Sequence, residues 1–452
     1  MKKILFVLAL GVCSSPTFSQ EFTLKEAIDY ALSNNANHQN VLLDQQLAEM
    51  KKNEIRGIGL PQLSASVDMK YYPQVPTSVF DLGNFPMGPS VIPKGTYSAG
   101  SFAIPYNNTA GIQISQILFS SDYIVALQAS KSFIDLTQKA ADRSKIETSV
   151  AVIKAYYTVL ISKERAKLLD NQLERVKKLS DDAKVLFDNG LVESIDLDRI
   201  TLAYNNLLSE KEKLKRFVEL TETMLKFQMG YNLSSPIVLK DSIDVNQPIA
   251  SELSAPEKFD YSSRVEYSLV QSQLQLNQLD LKRNKMKWMP SLVAYGNLGA
   301  TNSSGAFHPY YFGHQTDVTK QWYSMSLVGV TLSIPIFDGT QTYYKTKQAQ
   351  LEVQKSENSI KGLESAIDLE IRNASTMYNN ALASLNTQKA NIALAQKVYD
   401  ASKFKYDQGM SSLLEVTTAE NDLKDAQINY YNALFDFLIA KVDLEKATGI
   451  IK

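Results

Sequence analysis

The side chains able to do chemistry are few and scattered. Three histidines, His38, His308 and His314, show no metal-ligand spacing such as H-E-x-x-H. His308 and His314 fall in one aromatic-rich loop, where a metal could bind, but nothing around them completes a ligand set. No metal site and no cofactor are assigned. Gly57-x-Gly59 is a lone glycine pair ahead of Pro61, without the context of a phosphate-binding loop. The one cysteine, Cys13, lies in an N-terminal leader, which leaves the mature chain no thiol for catalysis, disulfides or metal binding. The chain is read as a non-enzyme.

The regularity lies instead in the elements. Val152, Ala155, Val159, Ser162, Ala166, Leu169, Leu173, Val176, Ser180, Ala183 and Phe187 alternate steps of three and four, and none is charged. That is a heptad seam, the signature of a coiled coil. It halts at Asn189-Gly190, where a glycine ends a helix cheaply in the left-handed conformation. A return seam follows through Leu197, Ile200, Tyr204, Leu207, Leu214 and Val218. The pattern recurs: Phe187-Asp188-Asn189-Gly190-Leu191 matches Tyr406-Asp407-Gln408-Gly409-Met410, 219 residues on. At the same offset the seam reads Ile371, Ala374, Tyr378, Ala381, Leu385, Gln388, Ile392, Ala395, Tyr399, Ser402 and Tyr406, and the return arm runs from Val416 to Leu444. Phase and turn kept across such a gap mark an internal duplication.

Met1-Lys2-Lys3, the apolar run Ile4 to Val12 and the small residues up to Gln20 have the layout of a secretory signal peptide, residues 1–20. Val12 before Cys13 is a poor fit to lipid attachment. The 452 residues carry a formal net charge of −1, which gives no sign of a nucleic-acid partner. No later apolar run is long enough for a transmembrane helix. An exported chain of this kind is periplasmic, secreted or built into the outer membrane as a barrel.

In chain order, a first repeat (21–230) opens with a helix from Glu21 to about Gly59, with Thr23 as N-cap and Glu26 completing a capping box. Pro61 stops it. Gln62 to Tyr72 alternates as a two-faced strand, a proline-rich loop (73–108) is expected irregular and exposed, and Thr109 to Phe119 is a second strand. The hairpin from Ser121 to Gly230 follows, its outward arm ~100 Å long at the helical rise. Residues 231–260 read as a connector. The second repeat (261–452) has a helix to Met289 ending at Pro290, a strand from Ser291 to about Ala300 and a loop (301–321). A strand from Tyr323 to Ile334 follows, then Pro335 and the second hairpin.

Strands of about 9–12 residues suit a tilted crossing of an outer membrane. Trp322 and Tyr323 sit at one end of these strands, and Phe119, Trp288 and Phe337 at the other, as interface girdles would. A small soluble sheet is the weaker reading, because it leaves two very long helices without a purpose. Four strands cannot close a barrel and an open edge is untenable in lipid, so the barrel must be shared between chains.

On the duplication, the prolines at the helix–strand joints (Pro61, Pro290, Pro335) and the paired F/Y-x-x-G turns, the chain resembles the TolC-like outer-membrane efflux proteins. The resemblance covers essentially the whole mature sequence. It implies a homotrimer in which each chain gives four strands to one transmembrane β-barrel, continued by a periplasmic α-helical coiled-coil tunnel with a closable tip. It implies that Gly190, Leu191, Gly409 and Met410 touch a periplasmic adaptor protein. Plain helix termination explains the glycines as well, but not an apolar Leu191 and Met410 at a turn. The family's two acidic entrance rings map to Glu415 and Thr418, so one ring is lost; a lone glutamate on a helix is otherwise simply solvated. The family's tip lock maps to Asp196, Tyr406 and Ser411, the last standing where an arginine is expected.

The resulting expectation is an α+β membrane protein: a duplicated helix, strand, strand and long helical hairpin. It would act as the outer-membrane exit duct of a tripartite efflux system in a diderm bacterium. Its partners would be an inner-membrane pump, an adaptor and outer-membrane lipid. A type I protein-secretion duct and a pore-less periplasmic coiled coil are the alternatives.

Overall fold

The computed structural model describes residues 20–84, 92–101, 103–242, 259–306, 318 and 321–451. The expected signal peptide, apart from the backbone of Gln20, lies outside these residues. So do His308, His314 and the middle of the connector. In chain order the elements are β1 (Gln20–Phe22), α1 (Leu24–Asn34), α2 (Ala36–Ile58), β2 (Gln62–Tyr71), β3 (Ser78–Asp81), β4 (Tyr97–Gly100), β5 (Tyr106–Phe119), α3 (Ser121–Asp188), α4 (Ser194–Met229), β6 (Ile237–Leu239), α5 (Val265–Lys285), β7 (Ser291–Ser304), β8 (Tyr323–Ser333), α6 (Gln341–Asp407) and α7 (Leu413–Ala447). Among the described residues no helix is long and apolar enough to cross a membrane.

The chain divides into two compact units. One gathers residues up to 46, 135–273 and 357–452, and holds the coiled-coil part of both hairpins. The seam positions are buried or half-buried except Phe187 at the tip, as the heptad phase predicts. Near the tips, Leu169, Val176, Leu179 and Ala183 of α3 pack with Ile200 and Leu207 of α4 and with Leu413, Val416, Ala419 and Leu423 of α7. Further along, Ile371, Tyr378 and Leu385 of α6 meet Tyr430, Phe437 and Leu444 of α7.

In this unit the expected helix from Glu21 to Gly59 is corrected to a short strand and two helices. Thr23 does cap α1: its hydroxyl accepts from the Glu26 amide at 3.3 Å, and the Glu26 carboxylate accepts from the Thr23 amide at 2.8 Å. The break comes at Asn35, whose side-chain oxygen accepts from the amides of Asn37 and His38 and starts a new helix. Its amide group donates to the Gln228 carbonyl near the end of α4, at 2.8 Å. A similar joint recurs in the second repeat, where the Ala447 carbonyl, 219 residues beyond Gln228, accepts from Arg264 at 2.8 Å. Gly230 and Gly449 end the two return helices with φ of 68° and 69°.

The connector is not featureless either. Its β6 pairs in parallel with β1, Gln20 opposite Ile237. Asp241 then accepts from the Leu24 amide and the Tyr156 hydroxyl, both at 2.8 Å. The second-repeat helix begins as a 3-10 turn at Tyr261–Ser263 and becomes α5 only at Val265. Arg264, 5% exposed, is bound there by Glu266 and Glu370.

The other unit, residues 47–134 and 274–356, is organised by a four-stranded antiparallel sheet in the order β2-β5-β7-β8. Gln62 lies opposite Ser115, Tyr106 opposite Ser304 and Ser291 opposite Ser333. β5 and β7 reach 14 residues each, longer than expected. They approach closely: a Cβ at Gly299 would stand 2.7 Å from the Ala110 carbonyl, which only glycine avoids. β2 and β8 are the two edges, with Leu63, Val67, Val328 and Val330 exposed. The loop 73–108 is corrected as well. It holds the hairpin β3–β4, pinned where the Asp81 carboxylate accepts from the amides of Gly83 and Gly95. At the end of α5 the helix stops at Lys285, a turn short of Pro290.

Candidate functional site

The candidate site is the pair of hairpin tips. At the first, Gly190 has φ 73°; its amide donates to the Phe187 carbonyl at 2.8 Å, and the Leu191 amide donates to Leu186 at 2.9 Å. At the second, Gly409 has φ 70°; its amide donates to Tyr406 and the Met410 amide to Lys405, both at 2.8 Å. Two bonds of this kind satisfy the orphan carbonyls of a helix end, and the residue after the glycine commonly packs back onto the last turn. Here it does not. Leu191 stays 70% exposed and Met410 69%.

Beyond the second tip, Ser412 caps α7, its hydroxyl accepting from the Glu415 amide at 3.3 Å. Glu415 is exposed in the first turn, where the helix dipole favours a carboxylate. The Ser411 hydroxyl donates to it at 2.6 Å. Thr418 is exposed one turn on, its hydroxyl turned back to the Leu414 carbonyl.

The three tip-lock positions are not joined within the chain. Ser411 gives its hydroxyl to Glu415, and the buried Tyr406 hydroxyl has no hydrogen-bond partner. Burial raises the Tyr406 pKa, with Asp182, Asp407 and Asp196 adding to the shift. Asp196 is half-buried in the first turn of α4.

A site the sequence reading missed lies behind the tips. Glu420 of α7 is 1% exposed and receives Arg175 of α3: Nη2 to Oε1 at 2.8 Å, and Nε to Oε1 and Oε2 at 3.0 and 3.2 Å. The guanidinium also stands 5.9 Å from the Tyr399 ring of α6. Burial first, then the Glu420 charge, pushes the Tyr399 pKa up to about 12. The signal was available: Arg175 and Glu420 flank the seam residues Val176 and Ala419, where inter-helix ion pairs form in coiled coils. What was missing was which hairpin faces which.

At the sheet, register sets two groups of aromatics apart. Tyr323 pairs with Thr301 at one end, and Trp322 precedes it; Phe119 pairs with Leu292 at the other. Trp288 precedes β7 and Phe337 follows β8 on that second end. Trp288, Tyr323 and Phe337 are exposed, while Phe119 and Trp322 are half-buried. Pro61 and Pro335 are exposed at their joints and Pro290 is half-buried. His38 is buried with Nδ1 3.1 Å from the Ser144 hydroxyl, and among the described residues no cluster fit to hold a metal occurs.

Residues 264–450 match the outer membrane efflux protein family. Outer membrane protein TolC of Escherichia coli is 23% identical over 464 residues, covering all of this chain and 87% of that protein. The alkaline protease secretion protein AprF of Pseudomonas aeruginosa is 24% identical over 175 residues, 38% of this chain and 34% of that one. Among solved structures, the Campylobacter jejuni CmeC outer membrane channel superposes with a TM-score of 0.71 at 17% identity, covering 94% of this chain and 85% of that one. In sequence the chain is similar to the TolC-like outer-membrane factors, and it shares the fold of outer-membrane efflux channels.

Proposed function

We propose that the protein is the exit duct of a tripartite efflux system, a homotrimer conducting substrates passively from an inner-membrane pump and its adaptor. One observation carries this reading: the four-stranded sheet has two unpaired edges, β2 and β8, and exposed apolar side chains along both. Unpaired backbone amides and carbonyls cannot face hydrocarbon, so in lipid β8 of one copy must pair with β2 of the next until the sheet closes. Three copies give twelve strands. The two aromatic groups then stand at the two membrane interfaces. The long hairpins, one from each repeat (21–230 and 261–452), continue the barrel as a periplasmic coiled-coil tunnel, after a leader (1–20) is removed. In this arrangement Leu191 and Met410 are the adaptor contacts. Glu415 forms the one acidic ring at the entrance, Thr418 contributing no charge. The duct does no chemistry of its own; the pump supplies the energy.

Native mass spectrometry of mild-detergent extracts tests the assembly. A trimer is expected; an intact monomer that keeps its strand content would overturn the reading. The match to a protease secretion protein over part of the chain favours a type I secretion duct as the second reading. A pull-down of the crosslinked protein separates the two by the pump recovered. A pore-less periplasmic coiled coil has no use for strands with exposed apolar edges.

A further inference from the structure

We infer that the Arg175–Glu420 pair is the clasp that fixes the tip of the second hairpin against the first, and so sets how often the entrance opens. The inference rests on the exit-duct reading for its consequence, but on geometry for the contact itself.

Glu420 lies 11 residues beyond Gly409, ~16 Å along α7, and Arg175 lies 15 residues before Gly190, ~22 Å along α3. The clasp therefore stands behind the tips, with Glu415 between it and the second turn. Glu420 sits among Val416, Ala419 and Leu423 in the seam, which are at most 4% exposed. A carboxylate there is costly unless paired, and three contacts from one guanidinium pair it. The Arg175 guanidinium also stands 5.9 Å from the Tyr399 ring, which brings α6 into the same knot. If α7 slides or swings away from α3, Glu420 loses its counter-charge and the three hydrogen bonds that the packed state supplies. The separated state is thereby penalised, and the packed state is the resting one.

The tip residues do not supply this restraint within the chain. Tyr406 has no partner for its hydroxyl, and Ser411 bonds its own helix start. The other α3–α7 ion pair, Lys154–Asp443, has both side chains at least a third exposed and holds little.

The test is single-channel recording of purified, assembled protein in planar bilayers. Arg175→Ala and Glu420→Gln should each raise the open fraction at least about tenfold, since removing one partner of a buried pair costs more than the ~1.4 kcal/mol of a tenfold shift. The charge swap Arg175→Glu with Glu420→Arg should return it to within about threefold of wild type, which a packing role alone would not do. Lys154→Ala should leave it unchanged. Open fractions at the wild-type value in both single variants, or a swap that fails to restore closure, would overturn the clasp. If Arg175→Ala does not assemble, Glu420→Gln and the swap carry the test. Spin labels at Lys178→Cys on α3 and Asp425→Cys on α7 read the contact without any pore. Their distance distribution should broaden in Glu420→Gln and narrow again in the swap, and an unchanged distribution would also overturn the clasp. Assembled wild type and variants that conduct no ions would refute the duct reading, leaving the clasp to be judged by the label distances.

Discussion

Four glycines related in pairs by the 219-residue offset carry different loads, and alanine at each should reveal them. All four have φ between 68° and 73°, where an L side chain costs roughly 1–2 kcal/mol. At Gly190 and Gly409 a Cβ would meet nothing within 4 Å, so that backbone term is the whole cost. At Gly449 it would lie 3.1 Å from the Ser263 carbonyl oxygen and 3.4 Å from its hydroxyl, a crowding that a small shift relieves. At Gly230 it would stand 2.4 Å from the Asn34 oxygen and 2.7 Å from its carbon, both backbone atoms. The end of α4 must then part from the α1–α2 break, straining the Asn35 bond to Gln228. Overpacking of about 1–3 kcal/mol and a weakened buried hydrogen bond of about 1 kcal/mol bring the total to about 3–6 kcal/mol. Thermal melting of the detergent-purified variants, followed by intrinsic fluorescence, should rank Gly190→Ala and Gly409→Ala nearest wild type, Gly449→Ala lower and Gly230→Ala lowest or unassembled. A Gly230→Ala protein that melts with Gly190→Ala would refute the joint as described.

The remaining predictions address function and pH. Replacing Leu191 and Met410 together with aspartate should abolish export while the oligomer stays assembled, because an unpaired carboxylate buried in an adaptor contact costs about 1–3 kcal/mol or more; wild-type efflux in the double variant would remove these tips from the docking surface. Glu415→Ala should lower cation selectivity in planar bilayers and remove most block by multivalent cations, as loss of a carboxylate ring does in other pores, and unchanged selectivity would turn Glu415 away from the lumen. Burial, with Lys145 second, lowers the His38 pKa below its ordinary 6.5. Above that pH both folded and unfolded chains hold it neutral, while below it the unfolded chain gains a proton that the fold resists, so stability falls as the pH drops. The loss of melting temperature between pH 7.5 and 5 should therefore be smaller in His38→Gln than in wild type, and an equal loss in both would remove His38 as a contributor.

What the sequence by itself determined was everything governed by near neighbours. A heptad seam declares its buried face through side chains three and four apart, and Gly190 and Gly409 announce a left-handed helix end whatever surrounds them. Thr23 with Glu26 needs only three residues to close its capping box. The alternation in β2 and β8, and the prolines before β2 and β7, likewise act within a few residues. The tertiary structure decided what depends on partners far along the chain. The β1–β6 pairing joins residues more than 200 apart, so neither three-residue strand stands out alone. The helix break at Asn35 exists because its side chain caps a new helix and reaches Gln228, and propensity alone would run the helix through. Glu420 reads as one more surface carboxylate until α3 brings Arg175 against it. Tyr406 matches a lock position in sequence, yet its hydroxyl has no hydrogen-bond partner among the described residues of the chain, because residue type can be carried over and the position of a partner cannot. A local pattern fixes backbone and face through periodicity; which faces meet, and which charges they trap, is set only when the helices pack.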